Sequence, residues 1–343
     1  MAEFIAGADL AQRFYDEVVG AAVGPRVHSA AFLGAGSDVL GFDTARSTDH
    51  GWGPRMHLFV AAEDVAAVRA DVESALPNTF MGWPTRYGWD AVPVQSHVVV
   101  CELSAWLREH LGFDPRDGMT TIDWLATPQQ LLLEVTAGRP LHDGAGELAA
   151  VRDRLSWYPS DVWLWLLACQ WRRLDQEEPF VGRTAEVGDE LGSRIIAARL
   201  ARDLMRLCLL IARCYAPYSK WLGSAFARLD VAARLRPVLE AALVADAFPT
   251  REAALVEAFE IVARHHNDAG ITRPVAPEAV MFHGRPFRVL GSSRFVDACI
   301  DAVRDEYLRA LPFVGNVDQL VDSTDVLSHA YRARRLMQSF GGA

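Results

Sequence analysis

A cluster of small and acidic residues between positions 34 and 55 contains the residue types best suited to chemistry. Gly34, Gly36 and Ser37 follow a short apolar run, and glycines in a turn let backbone N–H groups approach an anion closely. The Ser37 hydroxyl would add a further donor. Asp49 comes later, in TDHGWGP before the next apolar run, where a carboxylate beside bound phosphates could hold a magnesium ion. The pattern predicts a phosphate-binding loop with a metal ligand at Asp49.

The elements around this cluster alternate between strands and helices. Apolar or β-branched runs predict strands over residues 30–33, 56–60 and 97–102. Residues 64–76 begin with acids and predict a helix. We therefore predict an α+β chain, with an N-terminal domain over residues 1–145 that holds a small mixed sheet with helices, followed by an all-helical domain over residues 146–343.

The second domain is predicted from long helical segments separated by Pro, Gly and Asn turns. These segments cover residues 160–176, 186–215, 229–247, 250–266 and 293–311. Residues 279–289 interrupt the pattern and predict a β-like or looped stretch. We expect the two domains to pack tightly and share a cleft, a common place for a ligand.

Composition and charge exclude several classes of protein. A formal net charge of -10 opposes a general nucleic-acid coat, which relies on a basic surface. No apolar run approaches the length of a membrane span, and the N-terminus lacks the features of a signal peptide. The five widely spaced cysteines indicate neither a disulfide framework nor a zinc site. We expect a cytoplasmic protein without membrane partners, and these patterns do not determine its oligomeric state.

Several phrases resemble a known superfamily. Gly36, Ser37 and Asp49 are similar to the short motif of the nucleotidyltransferases, with Gly51 standing where that motif has a second acid. The longer phrases GSDVLGFDTARSTDHGWGPR, EVGDELGSR, RDLMRL, YAPYSKWLG and HGRPF look like the domain of unknown function 4037 (DUF4037), a nucleotidyltransferase-like bacterial family. A more distant similarity is to the aminoglycoside nucleotidyltransferases. The resemblance implies a nucleotidyltransferase fold for the N-terminal domain.

The resemblance also implies a reaction. A nucleoside monophosphate, usually AMP, would pass from a nucleoside triphosphate bound to Mg²⁺ or Mn²⁺ to a hydroxyl of a small acceptor, and pyrophosphate would leave. Two metal ions stabilise the entering and leaving oxygens of such an in-line displacement, and acidic ligands must hold both. Because Gly51 provides no carboxylate, the alternative is a catalytically degenerate nucleotide- or ligand-binding protein of the same fold.

Roles in the first domain follow from the resemblance. Gly36 and Ser37 would hold the phosphates, and Arg55 is either a phosphate clamp or a surface residue. The acids assigned to the metal and catalytic positions are Asp49, Asp43 and Glu102, with Asp38 as a further acid within reach. Glu102 ends the strand HVVVCE, where the superfamily has its third carboxylate, the presumed base.

If the segment from Asp49 to Arg55 is extended, its side chains divide between two faces. Alternate residues of a strand share a face, so Asp49, Gly51 and Arg55 would point one way and His50 the other. A bulge at Gly53 and Pro54 would re-aim His50.

The helical domain provides candidate contacts to the acceptor. The assigned residues are Asp189, Glu190, His283 and Arg285. The two acids would suit a cationic acceptor, and their alternative role is a salt-bridged helix face. Lys220, in YAPYSKWLG, is assigned to the triphosphate as a point charge, or else to anchoring its loop.

Overall fold

The computed structural model of the protein describes residues 3–90 and 92–339. Within these residues the chain is α+β, with a small mixed sheet near the N-terminus and a helical C-terminal part, so the predicted fold class is confirmed. No helix among them is both long and apolar enough to cross a membrane.

The strands of the N-terminal part are β1 (Ser29–Phe32), β2 (Arg55–Phe59), β3 (Thr79–Phe80), β4 (Trp83–Pro84), β5 (Arg86–Trp89), β6 (Val92–Cys101) and β7 (Arg139–Asp143). Its helices are α1 (Gly7–Phe14), α2 (Gly20–Val23), α3 (Val65–Ala75), α4 (Leu103–Leu111), α5 (Thr121–Ala126), α6 (Gln129–Thr136) and α7 (Glu147–Arg154). A π-helical turn, Tyr15–Val19, joins α1 to α2. The strands β5 and β7, which flank the sheet, were not predicted.

The main sheet has the strand order β5-β6-β2-β1-β7. Strand β2 runs antiparallel to β1 and parallel to β6, and β1 runs antiparallel to β7. The register pairs Arg55 with His97 at one end of the sheet and Phe59 with Cys101 at the other. We call the first the loop end, because β1 leads there into residues 33–54, and the second the far end.

One face of this sheet packs against helices of the N-terminal part. Leucine and phenylalanine of α1 and two valines four residues apart in α3 bury their side chains in one core with residues of β2. The buried residues include Leu10, Phe14, Met56, Leu58, Val68 and Val72. The spacing of the α1 and α3 residues places them on one helix face, as an amphipathic pattern requires.

The C-terminal part consists mainly of helices. They are α8 (Ser160–Glu186), α9 (Glu190–Ile211), α10 (Ser219–Phe226), α11 (Ala232–Val244), α12 (Phe248–Asp268), α13 (Ser293–Ala302), α14 (Glu306–Ala310), α15 (Val317–Leu320), α16 (Thr324–Leu327) and α17 (Ala330–Gln338). A short pair, β8 (Val280–Met281) and β9 (Arg288–Val289), lies in the predicted β-like stretch. The single helix predicted over residues 293–311 is wrong, because α13 ends at Ala302 and Asp305 caps a new helix.

The described chain forms two compact units, and each unit is built from stretches that are not contiguous in the sequence. The first unit comprises the described residues up to Thr120, then Gln130–Ser156 and Ser328–Tyr331; the second comprises Thr121–Gln129, Trp157–Leu327 and the described residues from Arg332. Residues 146–156, which include α7, therefore cluster with the first unit.

Candidate functional site

The turn after β1 presents a run of backbone N–H groups, and we call residues 34–38 the glycine loop. Gly34 and Gly36 adopt φ angles of 89° and 138°, which glycine reaches without strain. The N–H groups of residues 35–38 donate to no acceptor within the part of the chain that the structure describes. The half-buried Ser37 hydroxyl has no partner there either. Successive N–H groups of this kind can form a concavity that binds anions.

Arg55 braces the glycine loop from β2. Its Nη2 and Nε atoms donate to the two carboxylate oxygens of Asp38 at 2.8 and 3.2 Å. The same guanidinium donates to the carbonyls of Leu33 at 3.3 Å and Ala35 at 2.9 Å, and its Cζ lies 4.7 Å from the ring centroid of Phe32. Its side chain is only 17% exposed. Arg55 is therefore not a surface residue, and most of its N–H donors are committed to the protein rather than to a phosphate.

Gly36 has no room for a side chain. A Cβ atom at this position would lie 2.7 Å from Arg55 Nη2 and closer still to the carboxylate of Asp38. The Arg55–Asp38 pair can therefore form in this position only if residue 36 is a glycine. The buried Asp38 carboxylate is likewise committed to Arg55, which leaves it poorly placed to act as a metal ligand.

Asp49 lies in a 3₁₀ turn and not beside a strand. The turn covers Ala45–Asp49, and β2 begins only at Arg55. The Asp49 side chain is 61% exposed, and its nearest cation is Arg46, with Nε at 3.5 Å from Oδ2. The segment from Asp49 to Arg55 is therefore not a regular strand, and the condition under which alternate residues there would share a face is not met.

Gly51 occupies a position that disfavours an acidic side chain. Its φ angle is 58°, in the left-handed region, and a Cβ atom would lie 3.2 Å from the indole ring of Trp89. The neighbouring His50 is turned toward Asp90, with Nε2 3.4 Å from Oδ2. The space that a second carboxylate would need at this position is thus taken by an aromatic ring from β5.

Asp43 caps a helix. Its Oδ2 accepts the backbone N–H of Gly7 at 2.7 Å, at the start of α1. A carboxylate is stabilised at a helix N-terminus by the unpaired N–H groups and the helix dipole. The metal-binding role assigned to Asp43 would have to compete with this contact.

Glu102 lies at the other end of the sheet from the glycine loop. It follows Cys101, which pairs with Phe59 at the far end, whereas Arg55 and the glycine loop lie at the loop end. Four steps along a strand separate the two ends by roughly 13 Å. At the loop end, β6 presents His97, whose Nε2 contacts the Tyr87 carbonyl at 2.9 Å. The structure therefore does not bring Glu102 together with Ser37.

A group of titratable residues beneath the glycine loop, of which Glu134 is buried and His57 and His110 are half-buried, was not found by sequence analysis. The Glu134 carbonyl accepts the N–H of Gly34 at 2.9 Å, and Glu134 Oε2 lies 3.3 Å from His110 Nε2. His57 also lies in this group, and its buried Nδ1 has no hydrogen-bond partner among the described residues. Burial lowers the pKa of His57 to about 3 and that of His110 to about 4, so both rings are neutral at pH 7. These residues come from elements far apart in the chain and follow no spacing motif.

The acids of EVGDELGSR hold the start of α9 in place. Asp189 Oδ1 accepts the N–H of Gly192 at 2.8 Å as an N-terminal cap. Glu190 pairs with the fully buried Arg251 and, at 3.1 Å, with Arg194. These contacts give the phrase a structural role, and binding of an acceptor by its two acids stays a prediction.

The other residues assigned to the second unit lie on separate elements. His283 and Arg285 belong to the turn between β8 and β9, where His283 has a φ angle of 50° and Arg285 pairs with Glu186. Lys220 is exposed on α10, with its Nζ 5.0 Å from the ring centroid of Trp221. Their predicted contacts with acceptor or nucleotide stay predictions.

Comparison with known proteins identifies part of the chain. Residues 124–222 match the family described as Domain of unknown function (DUF4037). The chain is similar to DUF4037 over this segment. The matched segment includes the phrases EVGDELGSR and RDLMRL, so the predicted family resemblance is confirmed for this part. The phrases around the glycine loop and HGRPF lie outside it.

Two further comparisons add little to the DUF4037 assignment. No curated protein matches the chain. A crystal structure of a nucleotidyltransferase-like protein from Exiguobacterium sibiricum 255-15 is similar at 12% sequence identity, over 86% of this chain and 87% of that chain, with a TM-score of 0.33. A TM-score of this size does not by itself establish a shared fold.

The acids assigned to metal binding do not form a metal site in this arrangement. Asp38 pairs with Arg55, Asp43 caps α1, and Glu102 lies at the far end of the sheet. Across residues 3–90 and 92–339, no three His, Cys, Asp or Glu side chains are grouped so that they could hold a metal ion. The residues present therefore do not fit the two-metal site that the superfamily resemblance implies.

Proposed function

We propose that the first unit of this protein, which matches DUF4037 over part of its length, binds a nucleoside triphosphate or a related phosphorylated small molecule at the glycine loop. The protein then acts as a binding protein and does not transfer a nucleotidyl group. The observation that carries the proposal is the run of N–H groups at residues 35–38, beside the Ser37 hydroxyl, that donate to no acceptor in the described part of the chain. The proposed location is the cytoplasm, where nucleotides are abundant.

The charges around the loop favour this function. Asp38 would repel a phosphate, but the paired Arg55 neutralises it at 2.8 Å. The brace also holds the loop in one conformation before a ligand arrives, which lowers the entropic cost of binding. A preformed, electrically neutral loop with free N–H donors suits a phosphate group.

The positions of the acids favour binding over transfer. In-line displacement with two metal ions needs several carboxylates at one place. Here Asp43 caps α1 and Glu102 lies at the far end of the sheet, so the two carboxylates do not meet at one place. Gly51, which has no carboxylate, is packed against Trp89. We infer that the first unit binds its ligand without two-metal chemistry.

Transfer of AMP from a Mg²⁺- or Mn²⁺-bound triphosphate to a hydroxyl of a small acceptor is the competing proposal. One observation favours it: Asp49 is 61% exposed and, among the described residues, forms an ion pair only with Arg46, at 3.5 Å, so its carboxylate is free to turn. Residues assigned to the acceptor, such as Asp189 and Arg285, would matter only under this second proposal.

Calorimetry with ATP, in Mg²⁺ and separately in EDTA, tests the binding proposal. Ser37→Ala should weaken binding about fivefold to tenfold, the usual effect of losing one hydrogen bond. Gly36→Ala should abolish binding, because a Cβ atom there collides with Arg55 and Asp38. Gly118→Ala is the matched control, since Gly118 also has a positive φ angle but nothing within 4 Å of its Cβ position.

The same samples separate the two proposals. Binding that persists in EDTA, with no pyrophosphate released in Mg²⁺ and a pool of hydroxylated compounds, supports the binding protein. Pyrophosphate release that disappears in Asp49→Ala would support transfer. Absence of ATP binding, or equal binding by wild type and Gly36→Ala, would reject both uses of the glycine loop.

A further inference from the structure

A groove on the second unit is independent of the glycine loop. It lies among α9, α10 and α11 and has a volume of about 450 Å³. Its apolar wall includes Met205, Phe226, Leu239 and Leu243, and its polar rim includes Lys220 and Arg236. A concavity of this size is within the range of small-molecule sites. We call it the lysine groove.

The rim carries one uncompensated positive charge. Lys220 is the only lysine in the chain, and no carboxylate of the described residues lies within ion-pair distance of its Nζ. Arg236, by contrast, is paired with Glu240 at 2.7 Å. In a chain with a net charge of -10, this local excess favours an anionic ligand.

The wall beside this charge is apolar and partly open. Phe226 and Leu239 are buried, whereas Leu243 is 48% exposed. Gly223 also lines the groove, and a Cβ atom at its position would meet nothing within 4 Å. An apolar chain laid along this wall would remove water from its exposed part.

We propose that the lysine groove binds a small amphipathic anion, namely a medium-length alkyl chain that ends in one carboxylate. The carboxylate lies at Lys220, and the chain lies against Phe226, Leu239 and Leu243. This site belongs to the second unit alone and does not depend on nucleotide binding by the first. It also gives Lys220 a role that differs from the predicted contact with a triphosphate.

The single lysine makes a direct measurement possible. Reductive methylation with ¹³C-formaldehyde labels Lys220 and the terminal amine and keeps the positive charge. The Lys220 signal is the one that is missing in Lys220→Arg. Titration with hexanoate, octanoate and decanoate should shift this signal saturably, and each added methylene should tighten binding roughly threefold to fourfold.

Two variants locate the binding. Gly223→Leu fills the groove from the middle of α10 and should abolish the shift, whereas Gly284→Leu, at another glycine of the second unit with open space around it, should leave it unchanged. Leu243→Glu, on the exposed part of the wall, should weaken decanoate binding at least tenfold by charge repulsion. Circular dichroism checks that each variant is folded. If Gly223→Leu does not fold, Leu243→Glu alone tests whether decanoate binds in the groove.

Several outcomes would overturn the proposal. One is a Lys220 signal that does not move, or that moves equally with acetate and decanoate. Another is an unchanged titration in both groove variants. A shift produced by ATP and competed by decanoate would assign the groove to nucleotides instead. Loss of ATP binding in Gly36→Ala, with decanoate binding intact, would show that the two sites fail separately.

Discussion

The guanidinium of Arg55 shows how one residue type can serve two very different purposes. Beside a phosphate loop, an arginine is a natural partner for the ligand, because its planar fork matches phosphate oxygens. Here the fork is turned inward to the Asp38 carboxylate and to two loop carbonyls. Arg55 would therefore act on a phosphate indirectly, through the shape of the glycine loop and by neutralising the Asp38 carboxylate.

Removing this brace should be costly. Arg55→Ala leaves the 7%-exposed Asp38 carboxylate without its cation, and we expect the free energy of unfolding to fall by about 3 kcal/mol. Arg86→Ala is the control, because Arg86 and Glu73 form an exposed pair whose loss should cost less than about 1 kcal/mol. Urea unfolding followed by tryptophan fluorescence measures both. Equal losses would mean that Arg55 is not a brace.

Gly51 leads to a second prediction at the residue scale. Restoring the acid of the superfamily motif by Gly51→Asp should bring no pyrophosphate release and should lower the free energy of unfolding by about 1 to 2 kcal/mol, because the φ angle of 58° and the Trp89 ring both oppose a side chain. Gly24→Asp, at a φ angle of 68° with open space, should cost less. A gain of magnesium-dependent pyrophosphate release would restore the transferase proposal.

At the scale of elements, three acids in this protein hold the starts of helices. Asp43 caps α1, Asp189 caps α9, and Glu178 of α8 accepts the N–H groups of residues 290–292 just before α13. The last contact is the most buried of these. Unpaired N–H groups at helix starts need acceptors wherever water is excluded, and carboxylates provide them.

Glu178 should make stability depend on pH. Burial raises its pKa from 4.5 to about 7, even though three N–H donors favour the ionised form. A carboxyl that binds its proton more tightly when folded loses stability as pH rises, so between pH 4.5 and 7 the free energy of unfolding should fall by about 3 kcal/mol on its account. Urea unfolding at pH 5 and pH 8 should show a smaller fall in Glu178→Gln than in wild type. An equal fall in the free energy of unfolding in both proteins would contradict this role of Glu178.

At the scale of the whole molecule, the chain crosses between two compact units more than once. Helix α7 follows the boundary predicted at residue 145 but clusters with the first unit. Its Arg152 Nη1 donates to the carbonyls of Val135 and Ala137 at 2.8 and 2.7 Å, and Arg154 Nη1 donates to that of Pro115. These long-range contacts hold α7 in the first unit.

Native-state hydrogen exchange can test this assignment. The amides of α7 should open together with those of β7 and α6 as urea is added, and not with those of α8. Arg152→Ala should speed exchange throughout the first unit and leave α8 unchanged, since its two backbone acceptors lie in that unit. Exchange of α7 in step with α8 would place the boundary at residue 145 instead.

The sequence alone determined the features that depend on neighbouring residues. Hydrophobic periodicity predicted the strands β1 and β2, the helix α3 and the helical C-terminal part. The phrases EVGDELGSR and RDLMRL indicated DUF4037. Glycines and a serine after an apolar strand also predicted the turn at residues 34–38, whose N–H groups at 35–38 have no acceptor among the described residues. Each of these signals lies within a short stretch of chain.

Only the tertiary structure decided which acids meet. The register of β6 against β2 sends Glu102 to the far end of the sheet, and the pairing of β5 with β6 presents Trp89 to Gly51. Asp38 and Asp43 are committed to partners 17 and 36 positions away in the chain. Strand register and long-range pairing result from the packing of the whole unit, so no local pattern around an acid reveals whether its carboxylate is free.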